Sequence, residues 1–273
     1  MAKDKEMSFL GHLEILRWHL VRSFAAIFIL TIVAFLAKSF IFDTVIFGPK
    51  HPDFFTYRML CHLSTYLGFD GGTMCSGEMP FVVQNRTMAG QFTSHLWVSF
   101  IAGFIAAFPY IMWEMWSFLK PGLTKKERRY TNGVVFFSSI LFIIGVLFGY
   151  YMIAPLSISF LASYTVSAEI LNEIDLSSYI STISTVTLSS GLVFELPIVV
   201  YFLTKMGLLT PDMMRDYRRH AFVGVLILSA IITPPDISSQ ILVSIPIVFL
   251  YELSIYISAF VNRSNKIEEE KNK

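Results

Sequence analysis

Residues 177–203 read SSYISTISTVTLSSGLVFELPIVVYFL, a long apolar stretch with a single carboxylate residue, Glu195. It is long enough to cross a hydrocarbon layer as a helix, which takes about 20 apolar residues. A carboxylate at that depth is expensive, so Glu195 reads first as a functional group. A packing role stands beside that reading, with Glu195 protonated and bonded to a backbone or hydroxyl partner. Pro197 has no amide hydrogen and leaves a helix carbonyl near Glu195 without its donor.

Working outward, five more apolar runs join Ser177–Leu203, near Leu20–Phe42, Gln91–Leu119, Tyr130–Pro155, Arg219–Thr233 and Ile237–Val261. The chain of 273 residues is 54% hydrophobic and 15% charged, with 26 Phe and a mean hydropathy of +0.60. Those values exclude an ordinary soluble domain and fit a polytopic membrane protein. The expected fold class is an all-α membrane protein with six transmembrane helices in one domain, residues 1–261. It includes a long first outer loop, about 43–90, and a disordered cytoplasmic tail follows at 262–273. Met1–Met7 is polar and no small-residue cleavage site follows Phe24–Ala37, so the first helix is expected to stay and act as its own insertion signal.

Charge sorts the loops. Of the 21 Lys and Arg, all but Lys38, Lys50, Arg58 and Arg86 lie in the N-terminal segment, the loops after spans two and four, and the tail. By the positive-inside rule both termini are expected in the cytoplasm. A net charge of +1 says nothing about nucleic acid, the distribution being what matters; no nucleic acid is expected as a partner. Both cysteines, Cys61 and Cys75, fall in the outer loop. On an oxidising side a bridge between them is expected, contributing about 3 kcal/mol; two free thiols are the plainer alternative.

The last hairpin is short. Ala221–Thr233 makes about 20 Å of helix at 1.5 Å per residue, against a layer of about 30 Å. Thr233-Pro234-Pro235-Asp236 then turns the chain, and Asp236 is placed to cap span six. Such a hairpin thins the bilayer locally or lets water approach. Gly145 and Gly149 permit close helix approach, read here as packing within one subunit. Pro49, Pro109, Pro121, Pro197 and Asp236 are the candidate turns, and Pro109 is expected to kink span two.

Four short motifs carry the chemistry. Phe9–Leu20 places Leu13, Leu16 and Leu20 at helical spacing, with Glu14 and Arg17 close enough to pair with each other. Phe108-Pro109-Tyr110 is followed by Trp113, Trp116, Phe118 and Pro121-Gly122-Leu123, then Lys126-Glu127-Arg128-Arg129. The tryptophans suit an interfacial belt. Glu127 is an acid among basic neighbours, with an ion pair inside the loop as its simplest use. The third motif is Gly191-Leu192-Val193-Phe194-Glu195-Leu196-Pro197; the fourth runs from Ile232 through Asp236 to Gln240.

In this order on six spans, the motifs resemble the TatC family, the polytopic subunit of twin-arginine protein translocases, from Phe9 to Val261. The resemblance implies a receptor for signal peptides bearing consecutive arginines. It also implies single-span TatA/TatB-type subunits and further copies of itself as partners in a bacterial inner membrane. Folded proteins pass outward through the assembly, driven by the proton-motive force. A guanidinium presents a planar fork of donors that matches a carboxylate, and a lysine cannot reproduce it. The candidate signal-binding residues are Glu14, Arg17, Leu20, Glu114, Phe118, Glu127 and Arg128. Glu195 and Gln240 are candidates for an intramembrane polar or partner site.

The chain departs from its relatives in places. Similar proteins carry glutamate immediately before the Leu-Arg of the first motif, where this chain has Ile15. Glu14 sits about 100° around the helix from that position. Either Glu14 reaches the same site from a rotated helix, or Glu127 carries more of the recognition. The family's glutamine on span two is Glu114 here, an extra acid expected at the interface. A basic residue usual before that span corresponds to Trp97.

A second reading is a proton-coupled small-solute transporter with Glu195 as its proton site. It requires broken helices at matching positions of two repeats, and no such repeat is visible. An intramembrane hydrolase needs a nucleophile or metal constellation, and neither H-E-x-x-H nor G-x-S-x-G occurs. No enzymatic activity, catalytic residue, metal or cofactor is expected.

Overall fold

The computed structural model describes residues 9–51, 53–66, 68, 81–120, 127–167, 169, 172–233 and 237–271, without the side chains of 9–12, 127–132, 237–238 and 264–271. Five helical stretches among the described residues are long and apolar enough to cross a membrane: Leu13–Leu36, Gly90–Leu119, Gly133–Ser163, Leu176–Lys205 and Ser239–Arg263. This is a multi-pass membrane protein. Its chain forms two compact units, residues 1–38 with 95–140, and residues 39–94 with 141–273.

In the first unit, helix α1 (Phe9–Leu36) runs against the greater part of α3 (Gly90–Leu119). A Cβ on Gly103 would lie 2.6 Å from the Thr31 amide nitrogen and 2.8 Å from its Cα, so only glycine allows the two backbones this close. His95 stacks on Phe35, centroids 3.9 Å apart, and its Nε2 lies 3.0 Å from the Phe35 carbonyl. That carbonyl belongs to the last turn of α1, where helical donors run out. Pro109 lies inside α3, which remains one helix through it.

The first span was expected at Leu20–Phe42. Instead α1 stops at Leu36, and Phe40–Ile46 forms a π-helical turn in the second unit. Apolar residues continue across the break, and hydropathy records burial rather than hydrogen-bond register.

The second unit begins with that π turn, a 3₁₀ turn at Gly48–Lys50 and helix α2 (Phe55–Tyr66). Cys61, on α2, is in a disulfide; the chain's other cysteine, Cys75, lies outside the described residues. Tyrosine hydroxyls tie this segment down. Tyr150 donates to the Val45 carbonyl at 2.7 Å and Tyr179 to that of Ile46 at 3.0 Å, serving the last carbonyls of the π turn. Tyr57 is buried between the carbonyls of Pro49 and Pro155, at 3.0 and 2.9 Å. Burial raises the Tyr57 phenol well above its ordinary value, which keeps the proton it donates.

Helix α4 (Glu127–Phe148) continues through a π turn at Gly149–Ile153 into α5 (Ala154–Ser163), past Pro155 where span three was expected to end. Pro155 cannot donate to the Tyr151 carbonyl one turn back, and the Thr56 hydroxyl donates to it instead. The π turn takes up the rest of the misfit.

The fold is not purely helical. Strand β1 (Val82–Gln84) pairs in parallel with β2 (Glu173–Asp175), with Val83 opposite Ile174. Strands of three residues are too short to show an alternating pattern, so sequence periodicity cannot announce them.

Helix α6 (Leu176–Phe194) starts at an Asp175 cap, whose carboxylate accepts from the Ser177 amide at 2.9 Å. It packs tightly on α4. A Cβ on Gly145 would meet Phe194 Cβ and the Ser190 carbonyl at 2.7 Å, and one on Gly149 would meet Thr187 Cα at 2.9 Å. The glycine pair therefore serves contact within the chain. A core of Ile153, Val186, Val225, Val243 and Ile247 joins these helices to the last hairpin.

After α7 (Leu196–Lys205) and the short α8 (Pro211–Asp216), the fifth expected span appears as α9, Arg218–Ile232. At 15 residues it makes about 22 Å of helix. Helix α10 (Ile237–Lys271) is 35 residues long and contains Pro246. The expected disordered tail is instead the end of α10, whose Glu268–Lys271 run consists of good helix formers that extend a helix already nucleated. Pro234, Pro235 and Asp236 lie outside the described residues.

Candidate functional site

All seven candidate signal-binding residues fall in the first unit. Glu14 and Arg17 lie on the exposed N-terminal part of α1, with Leu20 49% exposed one turn on. Among the described residues no ion pair joins Glu14 to Arg17. Both side chains are left facing outward. Glu127 and Arg128 begin α4, with side chains outside the described set, as is Pro121.

Glu114, expected as an interfacial acid, is enclosed by its neighbours and 1% exposed. One carboxylate oxygen meets His19 Nδ1, and the other accepts from the Tyr110 hydroxyl at 2.6 Å. Phe118, half-buried one turn further along α3, sets its ring edge-on to His19 with centroids 6.1 Å apart. The structure thus brings Glu114 and Phe118 together around His19. Burying a carboxylate is tolerable only when its lone pairs are satisfied, and His19 and Tyr110 supply those hydrogen bonds.

His19 and Tyr110 were not among the expected site residues. Tyr110 and Glu114, four apart on one helix face, were a local signal that could have been read. His19 is on another helix, 95 residues away in sequence, and no spacing rule connects it to Glu114.

In the second unit, Glu195 occupies the junction between α6 and α7 as C-cap of one and N-cap of the other. It is 6% exposed. Pro197, buried in the first turn of α7, cannot donate to the Val193 carbonyl, so the α-helical ladder stops there. The Glu195 amide then donates to Leu192 at 3.1 Å, while its carbonyl accepts from Ile198 and Val199. Gln240 donates to the Leu226 carbonyl at 3.2 Å, tying α10 to α9. Pro49 is buried and lends its carbonyl to Tyr57.

A chain that carries an exposed acid on α1 and a buried one on α3, and breaks a span at Glu-Leu-Pro, has recognisable kin. Residues 11–246 match the model of the family described as Sec-independent protein translocase protein (TatC). The chain belongs to the TatC family. It is 43% identical over 264 residues to the TatC of Blattabacterium sp. subsp. Periplaneta americana (strain BPLAN), covering 96% of this chain and 99% of that relative. It is 42% identical over 172 residues to the TatC of Helicobacter pylori (strain ATCC 700392 / 26695), covering 63% of this chain and 68% of the relative. A crystal structure of the twin arginine translocase receptor TatC in DDM superposes with a TM-score of 0.70 at 28% identity, covering 90% of this chain and 99% of that one. A second crystal structure of that receptor superposes with a TM-score of 0.67 and the same identity. Positions 14, 114, 127, 195 and 240 lie within the matched range.

Proposed function

We propose that this chain is the signal-peptide receptor and core subunit of a twin-arginine translocase, exporting folded proteins across a bacterial inner membrane with the proton-motive force. The observation that carries this reading is a match to solved twin arginine translocase receptors that spans 99% of those chains and 90% or more of this one. In this reading α9 counts as a sixth, short span and both termini are cytoplasmic, which puts the basic loops on the inner side. Glu14 and Glu127 meet the arginine pair, with Arg17 and Arg128 taking part in the same recognition. Phe118 and Leu20 meet the apolar part of the signal. TatA/TatB-type subunits and other copies of the chain complete the assembly, and Glu195 and Gln240 serve partner contact.

Guanidinium recognition requires carboxylates that are accessible or can be made so. Glu14 is exposed, whereas Glu114 must exchange His19 or Tyr110 for an arriving arginine. The transporter alternative finds no support among the relatives. The deciding experiment is photocrosslinking from positions 14, 114 and 127 to a signal peptide carrying Arg-Arg or Lys-Lys. Adducts that require Arg-Arg are expected; equal adducts with both peptides overturn the assignment.

A further inference from the structure

Between the first turns of α9 and the middle of α10 lies a cavity of about 370 Å³. Its polar and apolar parts are separated along the helices. Arg218, Arg219 and Glu252 stand at one end, and Val225 and Val248 line the wall one to two turns further in. Phe222 lies between them, half exposed. This is the layout of an amphiphile, with a headgroup at the charged end and hydrocarbon beyond it.

The charges favour one sign. Arg218 Nη2 donates to Glu252 Oε2 at 2.7 Å, which neutralises that pair and fixes the guanidinium in place. Four further N–H donors remain on Arg218. Arg219 is exposed and has no ion-pair partner among the described residues. The rim therefore carries one uncompensated positive charge, and it coincides with the N-terminal end of α9, where the helix dipole adds to it.

The depth of the site distinguishes it from an ordinary basic rim. The Thr204 hydroxyl donates to that of Ser258 at 2.9 Å, so the end of α7 is level with Ser258 on α10. The Arg218–Glu252 pair lies six residues, about 9 Å, further toward the N-terminal end of α10. Because α9 is short, its arginines begin below the level where α7 ends. Charges at such depth draw polar groups down to them rather than lose hydration.

We infer that this inset groove binds the headgroup of an anionic phospholipid, with the phosphate held by Arg219 and the free edge of Arg218. The upper part of an acyl chain lies along Phe222, Val225 and Val248. A cavity of this size takes the headgroup and the first methylenes, while the remaining chain stays in the bilayer. The site is separate from the residues proposed to recognise the signal peptide, and it stands whether or not that recognition is as described.

The test uses the purified full-length protein in detergent, titrated with phosphatidylglycerol or phosphatidylcholine, with retained lipid counted by native mass spectrometry. The wild type is expected to retain phosphatidylglycerol about fivefold better, on the scale of one basic residue at a membrane surface. Arg219→Gln should abolish that preference, and Arg219→Lys should keep most of it. Arg215→Gln, at an exposed residue 3.2 Å from Asp212, should leave it intact. Melting temperatures establish that each variant is folded. Equal retention of the two lipids by the wild type overturns the inference. So does an Arg215→Gln loss as large as that of Arg219→Gln, which would mean general surface charge.

Discussion

Helix α1 and the α6–α7 span cross the same kind of membrane with opposite packing. Only 11% of the apolar window in Leu13–Leu36 is buried within the protein, against 44% in Leu176–Lys205. Phe24, Phe28 and Leu36 project outward from α1, whereas Ile180, Ile183 and Val186 of α6 are enclosed. The buried acids follow the same division. Glu114 is held in the first unit by two side chains that can let go. Glu195 is built into a helix junction, where proline has already interrupted the ladder. The first acid is thus held by side chains from two helices, and the second sits where the helical ladder is interrupted.

That contrast can be broken most sharply at Glu127, in the first unit. Glu127→Ala should cut binding of an Arg-Arg signal peptide by about 2–5 kcal/mol if the pair is desolvated, with membrane insertion and melting temperature unchanged. Binding at wild-type strength in a pull-down with labelled peptide would remove the recognition role. In the second unit the reverse is expected. Gly149→Val drives a side chain into Thr187 Cα and the Val186 carbonyl, and should destabilise the folded protein by about 1–3 kcal/mol or more. Thermal unfolding in detergent measures it, and an unshifted midpoint would show that the helices separate easily.

A smaller effect is expected at His19. His19→Leu removes one partner of buried Glu114, at a cost of about 1–3 kcal/mol, and Glu114→Gln in the same chain should recover part of it. A double-mutant cycle of melting temperatures gives the coupling; additive losses would mean that the two side chains act independently. Smaller still is the cap of α6. Hydrogen bonds from the Ser177 hydroxyl and amide hold the Asp175 carboxyl below the usual carboxylate range. Its stabilisation is present above the unfolded value of about 3.9 and is lost as pH falls through the lower folded value. Asp175→Asn keeps the cap and should flatten that acid limb of the stability curve. A limb as steep as in the wild type would place the titration elsewhere.

Much of this architecture was readable in the sequence because hydropathy and charge operate over a whole span. The runs ending at Leu119 and Leu203, the short hairpin before Thr233 and the interruption at Glu195-Leu196-Pro197 all rest on local chemistry. The details that escaped are relations between distant residues or choices of helical register. The stop at Leu36 is hidden because Phe40, Ile41 and Phe42 are as apolar as the helix before them. The Tyr150, Tyr179 and Tyr57 anchors depend on carbonyls left over by π and 3₁₀ turns, which no periodicity predicts. The His19–Glu114 contact joins two helices whose pairing is a tertiary fact. Composition alone did not show that α10 runs on to Lys271.

The small parallel pairing of Val82–Gln84 with Glu173–Asp175 sets a schedule for biogenesis. Its first strand leaves the ribosome long before its mate exists, so its backbone groups wait unmatched while α3, α4 and α5 are made. Only when the acid that caps α6 emerges can the two strands zip, seating that helix as they do. A pairing between segments so far apart in sequence is among the late contacts to form.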